Sequence, residues 1–181
     1  MPLTVQMKMF QLHEPSEERL NEMVAFAISR FDEYKDLERP FTPAIQALIK
    51  LSHEGLRIGL VTSKSRIELQ SFLDRFEASA FVDVAICSSD VEKPKPHADC
   101  ALLACERLAV QPHEALLVGD SIFDIQCAKR AGLAAAIAVT YGAGDETALL
   151  AENPDLVFET PEALHEWATH QSQTPCLDGR S

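Results

Sequence analysis

The chain has 181 residues, 46% of them hydrophobic and 24% charged, with a formal net charge of -12. That size and balance fit one globular domain with a substantial core, and the acidic surplus argues against nucleic-acid or anionic-membrane partners, which need a basic face. No apolar run approaches the ~20 residues that span a bilayer, the N-terminus lacks a signal-peptide pattern, and five cysteines without a CxxC pair predict a reducing, cytoplasmic setting.

In chain order, residues 3 to 9 alternate, with Val5, Met7 and Met9 on one side, which predicts a half-buried strand. Ser16, followed by Glu17 and Glu18, reads as the N-cap of a helix whose apolar face is Leu20, Met23, Val24, Ala27, Ile28 and Phe31. Pro40 ends it. From Thr42 helices and strands alternate. Thr42 caps a helix with Pro43 in its first turn, and Gly55 closes it. A strand over 56–61 leads into the polar turn Thr62-Ser63-Lys64-Ser65, a helix over about 66–77 and a strand over 81–86. After a loop over 88–96 come a helix ending near Leu108, a strand over 116–118 and a helix closed by Gly132. A strand over 134–139, a loop over 142–144, a short strand over 156–158 and a helix after Pro161 follow. Residues 171–181, rich in Gln, Ser, Thr, Pro and Gly, read as a disordered tail.

Short apolar strands separated by helices predict a three-layer, Rossmann-like α/β domain: a parallel sheet with helices on both faces. Ligands of such sheets bind at the carboxyl ends of the strands. Three polar clusters fall there. Asp120 follows the strand Leu116-Leu117-Val118-Gly119, and Asp124 stands four residues on in the next helix; paired carboxylates suit a hard cation such as Mg²⁺. Asp124 also fits a capping box with Ser121. Thr62 and Ser63 follow Val61 directly, where hydroxyls and free N–H groups make a phosphate cradle, although Ser65 is equally a plain helix cap. Lys93 stands in Glu92-Lys93-Pro94-Lys95-Pro96, where two prolines fix the direction of a cation that can neutralise a phosphoryl oxygen; Lys95 is an equally charged competitor.

In order and spacing, the motifs Gly59-Leu60-Val61-Thr62-Ser63-Lys64-Ser65-Arg66, Asp90-Val91-Glu92-Lys93-Pro94-Lys95-Pro96 and Leu117-Val118-Gly119-Asp120-Ser121 with Asp124 resemble those of the haloacid dehalogenase-like hydrolases. The similarity is greatest to the phosphoglycolate phosphatase and pyrophosphatase branch. The resemblance covers roughly residues 40 to 165, and His97 departs from the acidic residue often found at its place. It implies a Mg²⁺-dependent phosphatase of small phosphorylated metabolites. Thr62 and the Ser63 backbone would bind the phosphoryl group, Lys93 would act as the catalytic lysine bridging phosphate and nucleophile, and Asp120 and Asp124 would hold Mg²⁺. The implied organisation is an N-terminal segment over 1–40 with a remnant helical cap, a core over 41–170 and the tail.

The family's nucleophile belongs to an Asp-x-Asp motif on its first strand, and no Asp-x-Asp occurs in these 181 residues. Asp83 lies in a later strand without that partner. The expectation is a chain shortened at its N-terminus, with residues 16–37 as the last cap helix. Alternatively, Met9-Phe10-Gln11-Leu12-His13 is a changed first strand, and the chain is a non-catalytic phosphate-binding or regulatory pseudoenzyme; a truncated gene product without its own function is the third reading. The family's first strand pairs between those ending at Val61 and Val118. Residues 2–10, direct pairing or another chain would therefore close that gap.

Overall fold

The computed structural model describes residues 15–34 and 37–171. The predicted strand over 3–9, the changed-strand reading of residues 9–13 and the tail from residue 172 onward lie outside those residues. Two helices come first, α1 (Glu17–Ser29) and α2 (Phe31–Tyr34). Ser16 starts α1 as expected, its Oγ accepting the Arg19 N–H at 3.2 Å.

Helix α3 (Thr42–His53) begins one residue earlier than a Thr42 cap requires. Phe41 is the N-cap and offers no side-chain hydrogen bond. Its ring instead meets Tyr141 edge-on, with centroids 4.9 Å apart. Gly55 follows the helix with φ +90, a left-handed conformation that suits glycine.

The alternation then runs β1 (Gly59–Val61), α4 (Arg66–Arg75), β2 (Val84–Ile86), α5 (Asp99–Leu108), β3 (Leu116–Gly119), α6 (Ile122–Ala131), β4 (Ala135–Val139), α7 (Glu146–Ala151), β5 (Leu156–Phe158) and α8 (Pro161–Gln171). The first two strands are shorter than the apolar runs that contain them. At Ile58 the backbone N–H goes to the Asp83 carboxylate at 2.7 Å rather than to a ladder partner. Asp83 accordingly sits just before β2, not within it. Helix α7 is additional to the expected elements, and Asp145 caps it by accepting the Ala148 N–H at 2.8 Å.

Every strand pair is parallel, but among the described residues the ladders form two pieces, β1–β2 and β3–β4–β5. Layers form on both faces, as alternation requires. Leu60 and Ala85 face Ile45, Leu48 and Ile49 of α3 and Leu69, Phe72 and Leu73 of α4. Val61, Val84 and Ile86 face Cys100, Leu103 and Ala104 of α5. Ala101 of α5 packs with Cys127 and Ala131 of α6, which joins the two pieces on that side. In the second piece, Ala136 and Ala138 meet Ile125 and Ala128 of α6 and Leu149 of α7.

The edges of β1 and β3 that face away from β2 and β4 pair with no described strand. Direct pairing of β1 with β3 is therefore not how the described residues close the sheet. Leu116 and Val118 are 48% and 38% exposed on β3, unlike the fully enclosed Ile137 of β4.

Candidate active site

All three polar clusters lie beyond carboxyl ends of strands. At the first, β1 ends at Val61 and the chain turns through Thr62 to Ser65 into α4. Ser65 is the cap: its Oγ accepts the Glu68 N–H at 3.4 Å, and Glu68 returns a carboxylate to the Ser65 N–H at 2.8 Å. Thr62 and Ser63 are thereby left out of the capping. The Thr62 N–H continues the ladder to the Ile86 carbonyl, and its Oγ1 accepts the Lys64 N–H at 3.1 Å. Nothing among the described residues accepts the Ser63 N–H. Lys64 pairs with Glu38, whose carboxylate also meets Arg75 at 3.3 Å, so the segment before α3 is tied to this turn.

The second cluster is the proline loop. Lys93, the lysine singled out by the resemblance, is exposed, whereas Lys95 is buried. The Lys95 ammonium donates to the Val61 carbonyl at 3.1 Å and to Asp124 Oδ1 at 2.6 Å. Local turning and distant anchors account for the choice. His97 closes a turn onto the Pro94 carbonyl at 3.1 Å, and Arg130 of α6 donates to the Pro96 carbonyl at 2.7 Å. With prolines on either side of Lys95, those bonds aim its stem inward and leave Lys93 in solvent. Asp90, at the start of the loop, pairs with Arg66 and accepts the Cys87 N–H at 2.8 Å. Burial alone would raise the Asp90 carboxyl; the Cys87 N–H and the Arg66 guanidinium outweigh it and hold the group below the usual carboxylate range.

The third cluster is the β3–α6 corner. Asp124 is 6% exposed, and its Oδ2 accepts both the Ser121 N–H at 3.1 Å and the Ser121 hydroxyl at 2.7 Å. Its carboxylate is a helix cap and the partner of Lys95 at once. Gly119 makes this possible, since a Cβ there would overlap the Asp124 side chain, lying 2.6 Å from Oδ2. Asp120 is half-buried and accepts the Ala143 N–H at 2.8 Å. The loop after β4 wraps that close because Gly142 and Gly144 carry no Cβ; one at Gly142 would lie 2.6 Å from Asp120 Cγ. Tyr141 in the same loop keeps its proton, its hydroxyl pushed up by burial and then by the Asp120 charge. The loop's role as the seat of Asp120 went unread in the sequence, although Gly-Ala-Gly after a strand is the signal for it.

In ligand type, the corner suits a hard cation. It offers oxygen only, Asp120 has an oxygen without a described donor, and the Lys95 ammonium shows that Asp124 Oδ1 already accepts a positive charge. No group of three His, Cys, Asp or Glu gathers among the described residues. Such a sparse set is compatible with Mg²⁺, which commonly binds through one or two carboxylates plus water and substrate phosphate.

A family model described as haloacid dehalogenase-like hydrolase matches residues 3–138. Proteins named phosphoglycolate phosphatase match over 120 residues: that of Escherichia coli (strain K12) is 35% identical and that of Salmonella choleraesuis (strain SC-B67) 34%. Each match takes 66% of this chain and 47% of the relative, so the chain spans about half the length of the curated relatives it matches. Among solved structures, a haloacid dehalogenase-like hydrolase from Bacteroides fragilis superposes with a TM-score of 0.82 at 27% identity, over 90% of this chain and 77% of that one. A haloacid dehalogenase-like family hydrolase from Streptococcus pneumoniae, at 24% identity and TM-score 0.78, covers 92% of this chain and 76% of its own, and shares the fold. The two-faced parallel sheet, the three strand-end clusters and these likenesses agree: the chain belongs to the haloacid dehalogenase-like hydrolases.

Proposed function

We propose that this chain carries the phosphate-binding and cation-binding part of a phosphomonoester hydrolase site for small phosphorylated metabolites of the phosphoglycolate type. The observation that carries the reading is the Lys95 bridge, which joins the last carbonyl of β1 to Asp124 beyond β3. It draws the Thr62–Ser63 turn and the carboxylate corner to the ends of two separate ladders. The relatives named phosphoglycolate phosphatase and the family match support the reaction class.

In this reading the Ser63 N–H and the Thr62 hydroxyl proton hold phosphoryl oxygens. The Ser63 N–H is fixed by the backbone of the turn and need not be reoriented as charge builds, and the Lys64 N–H holds Thr62 Oγ1 while its proton stays free to turn to a phosphoryl oxygen. Lys95 neutralises charge that spreads over the equatorial oxygens in the transition state. Asp120 and Asp124 would hold Mg²⁺, which when bound draws charge from a phosphoryl oxygen and offsets repulsion between the phosphate and the carboxylates. The acceptor of the phosphoryl group is the part that these 181 residues do not spell as Asp-x-Asp. Turnover by this chain alone is accordingly slow.

The test is hydrolysis of p-nitrophenyl phosphate with Mg²⁺ by wild type and Asp120→Ala, beside equilibrium binding of inorganic phosphate. Phosphate binding together with slow, Asp120-dependent turnover is the expected outcome. Turnover that survives Asp120→Ala, or no phosphate binding at all, overturns the assignment. The missing Asp-x-Asp favours a second reading, a phosphate-binding protein without turnover; binding with no detectable hydrolysis selects it.

A further inference from the structure

We infer that Lys95 is the resident counter-ion of Asp124, and that its ammonium and a divalent cation are alternative occupants of that carboxylate. The inference rests on Asp120 and Asp124 as cation ligands, as proposed above.

Asp124 has little capacity to spare. Of its two oxygens, Oδ2 takes two donors from Ser121 and Oδ1 takes Lys95 at 2.6 Å. The side chains of the pair are only 9% and 8% exposed, so water screens the charges weakly. A cation bound to Oδ1 at an ordinary Mg–oxygen distance of about 2.1 Å would lie next to the ammonium, at a separation where like charges repel strongly.

Something must give way. The Ser121 donors come from the N-cap residue of α6 and are fixed by the helix start, so Oδ2 stays as it is. The backbone at Lys95 is equally constrained, by the flanking prolines and by Arg130 on the Pro96 carbonyl. What remains free is the four-carbon stem of Lys95. Its other described bond, 3.1 Å to the Val61 carbonyl, is with a neutral acceptor. Cation entry therefore proceeds by the ammonium leaving Oδ1, and the cation affinity of the chain is set by that exchange as much as by its carboxylates. The same movement releases the tie between β1 and the β3–α6 corner. Lys93, two residues away and exposed, shares the loop and the charge but takes no part.

The experiment compares wild type, Lys95→Met, Lys95→Gln, Lys93→Met and Asp120→Asn for Mn²⁺ binding by electron paramagnetic resonance and for the melting temperature with and without Mg²⁺. Lys95→Gln keeps a neutral donor at the site and guards against a folding failure in Lys95→Met. Both Lys95 variants should bind Mn²⁺ about tenfold or more tightly than wild type, because the competing charge is gone. They should also melt lower without Mg²⁺ and recover more of the loss than wild type gains when it is added. Lys93→Met should match wild type in both measurements. Equal Mn²⁺ affinity in wild type and the Lys95 variants, with binding lost in Asp120→Asn, overturns the exchange and keeps the cation site. No Mn²⁺ binding in any protein, Lys95 variants included, overturns the cation site itself and the exchange with it.

Discussion

The two strand-to-helix corners of the site solve the same problem in opposite ways. At β1–α4 the duties are divided. Ser65 and Glu68 start the helix, while Thr62 and Ser63 stand aside with a hydroxyl proton and an N–H that no described residue accepts. At β3–α6 they are fused: Asp124 caps its helix, neutralises a buried lysine and is the candidate cation ligand. A divided corner lets a ligand group change without touching the fold. A fused corner makes the ligand and the fold stand or fall together.

Stability measurements can break that contrast, and the largest expected loss is at the fused corner. Asp124→Ala removes a cap and strands the Lys95 ammonium in a site that is 9% exposed. Breaking a buried ion pair from one side costs about 3–5 kcal/mol, which urea denaturation reads directly. Ser65→Ala comes next, at about 1 kcal/mol for a lost N-cap. Circular dichroism melts should show it, and phosphate binding should change little because Thr62 and Ser63 remain. If Asp124→Ala costs no more than Ser65→Ala, the corners are equivalent and the contrast fails.

How much of this was legible in the sequence follows the same division. Features decided by neighbours in the chain were readable: apolar runs ending in Val61 and Gly119, the Ser16 helix start, the glycine-closed end of α6 and the layering of helices on a parallel sheet. Features decided by distant partners were not. Lys93 and Lys95 have the same side chain and flank the same proline, and what separates them is Arg130 and Asp124, about 30 residues further along the chain. The resemblance pointed to Lys93; the fold buries Lys95. Phe41 rather than Thr42 is the N-cap of α3, and its ring is held by Tyr141, a hundred residues on. Likewise Asp83, just before β2, takes the Ile58 N–H on its carboxylate, a contact 25 residues apart in the chain. The edges of β1 and β3 that pair with no described strand were foreseeable only as a gap, since parallel neighbours are set by topology and not by local pattern.

Thr62→Val is the smallest stability change and the sharpest probe of the divided corner. Valine keeps the shape of threonine and removes the hydroxyl, so the half-buried site stays filled and the Lys64 N–H loses its acceptor. Because that N–H lies in a partly exposed turn, water can replace the partner, and the cost should be about 0.5 kcal/mol, at the low end for a hydrogen bond. The Ser65–Glu68 box is untouched, so α4 keeps its start. Phosphate is another matter. Its oxygens would lose a donor held ready beside the Ser63 N–H, and hydrogen bonds to charged groups contribute about 1.5–3 kcal/mol. Inorganic phosphate affinity should therefore fall at least about tenfold by calorimetry while the unfolding midpoint barely moves. A large loss of stability would mean that Thr62 serves the turn, as Asp124 serves its helix. An unchanged affinity would remove Thr62 from the cradle and leave phosphate to Ser63 and Lys95.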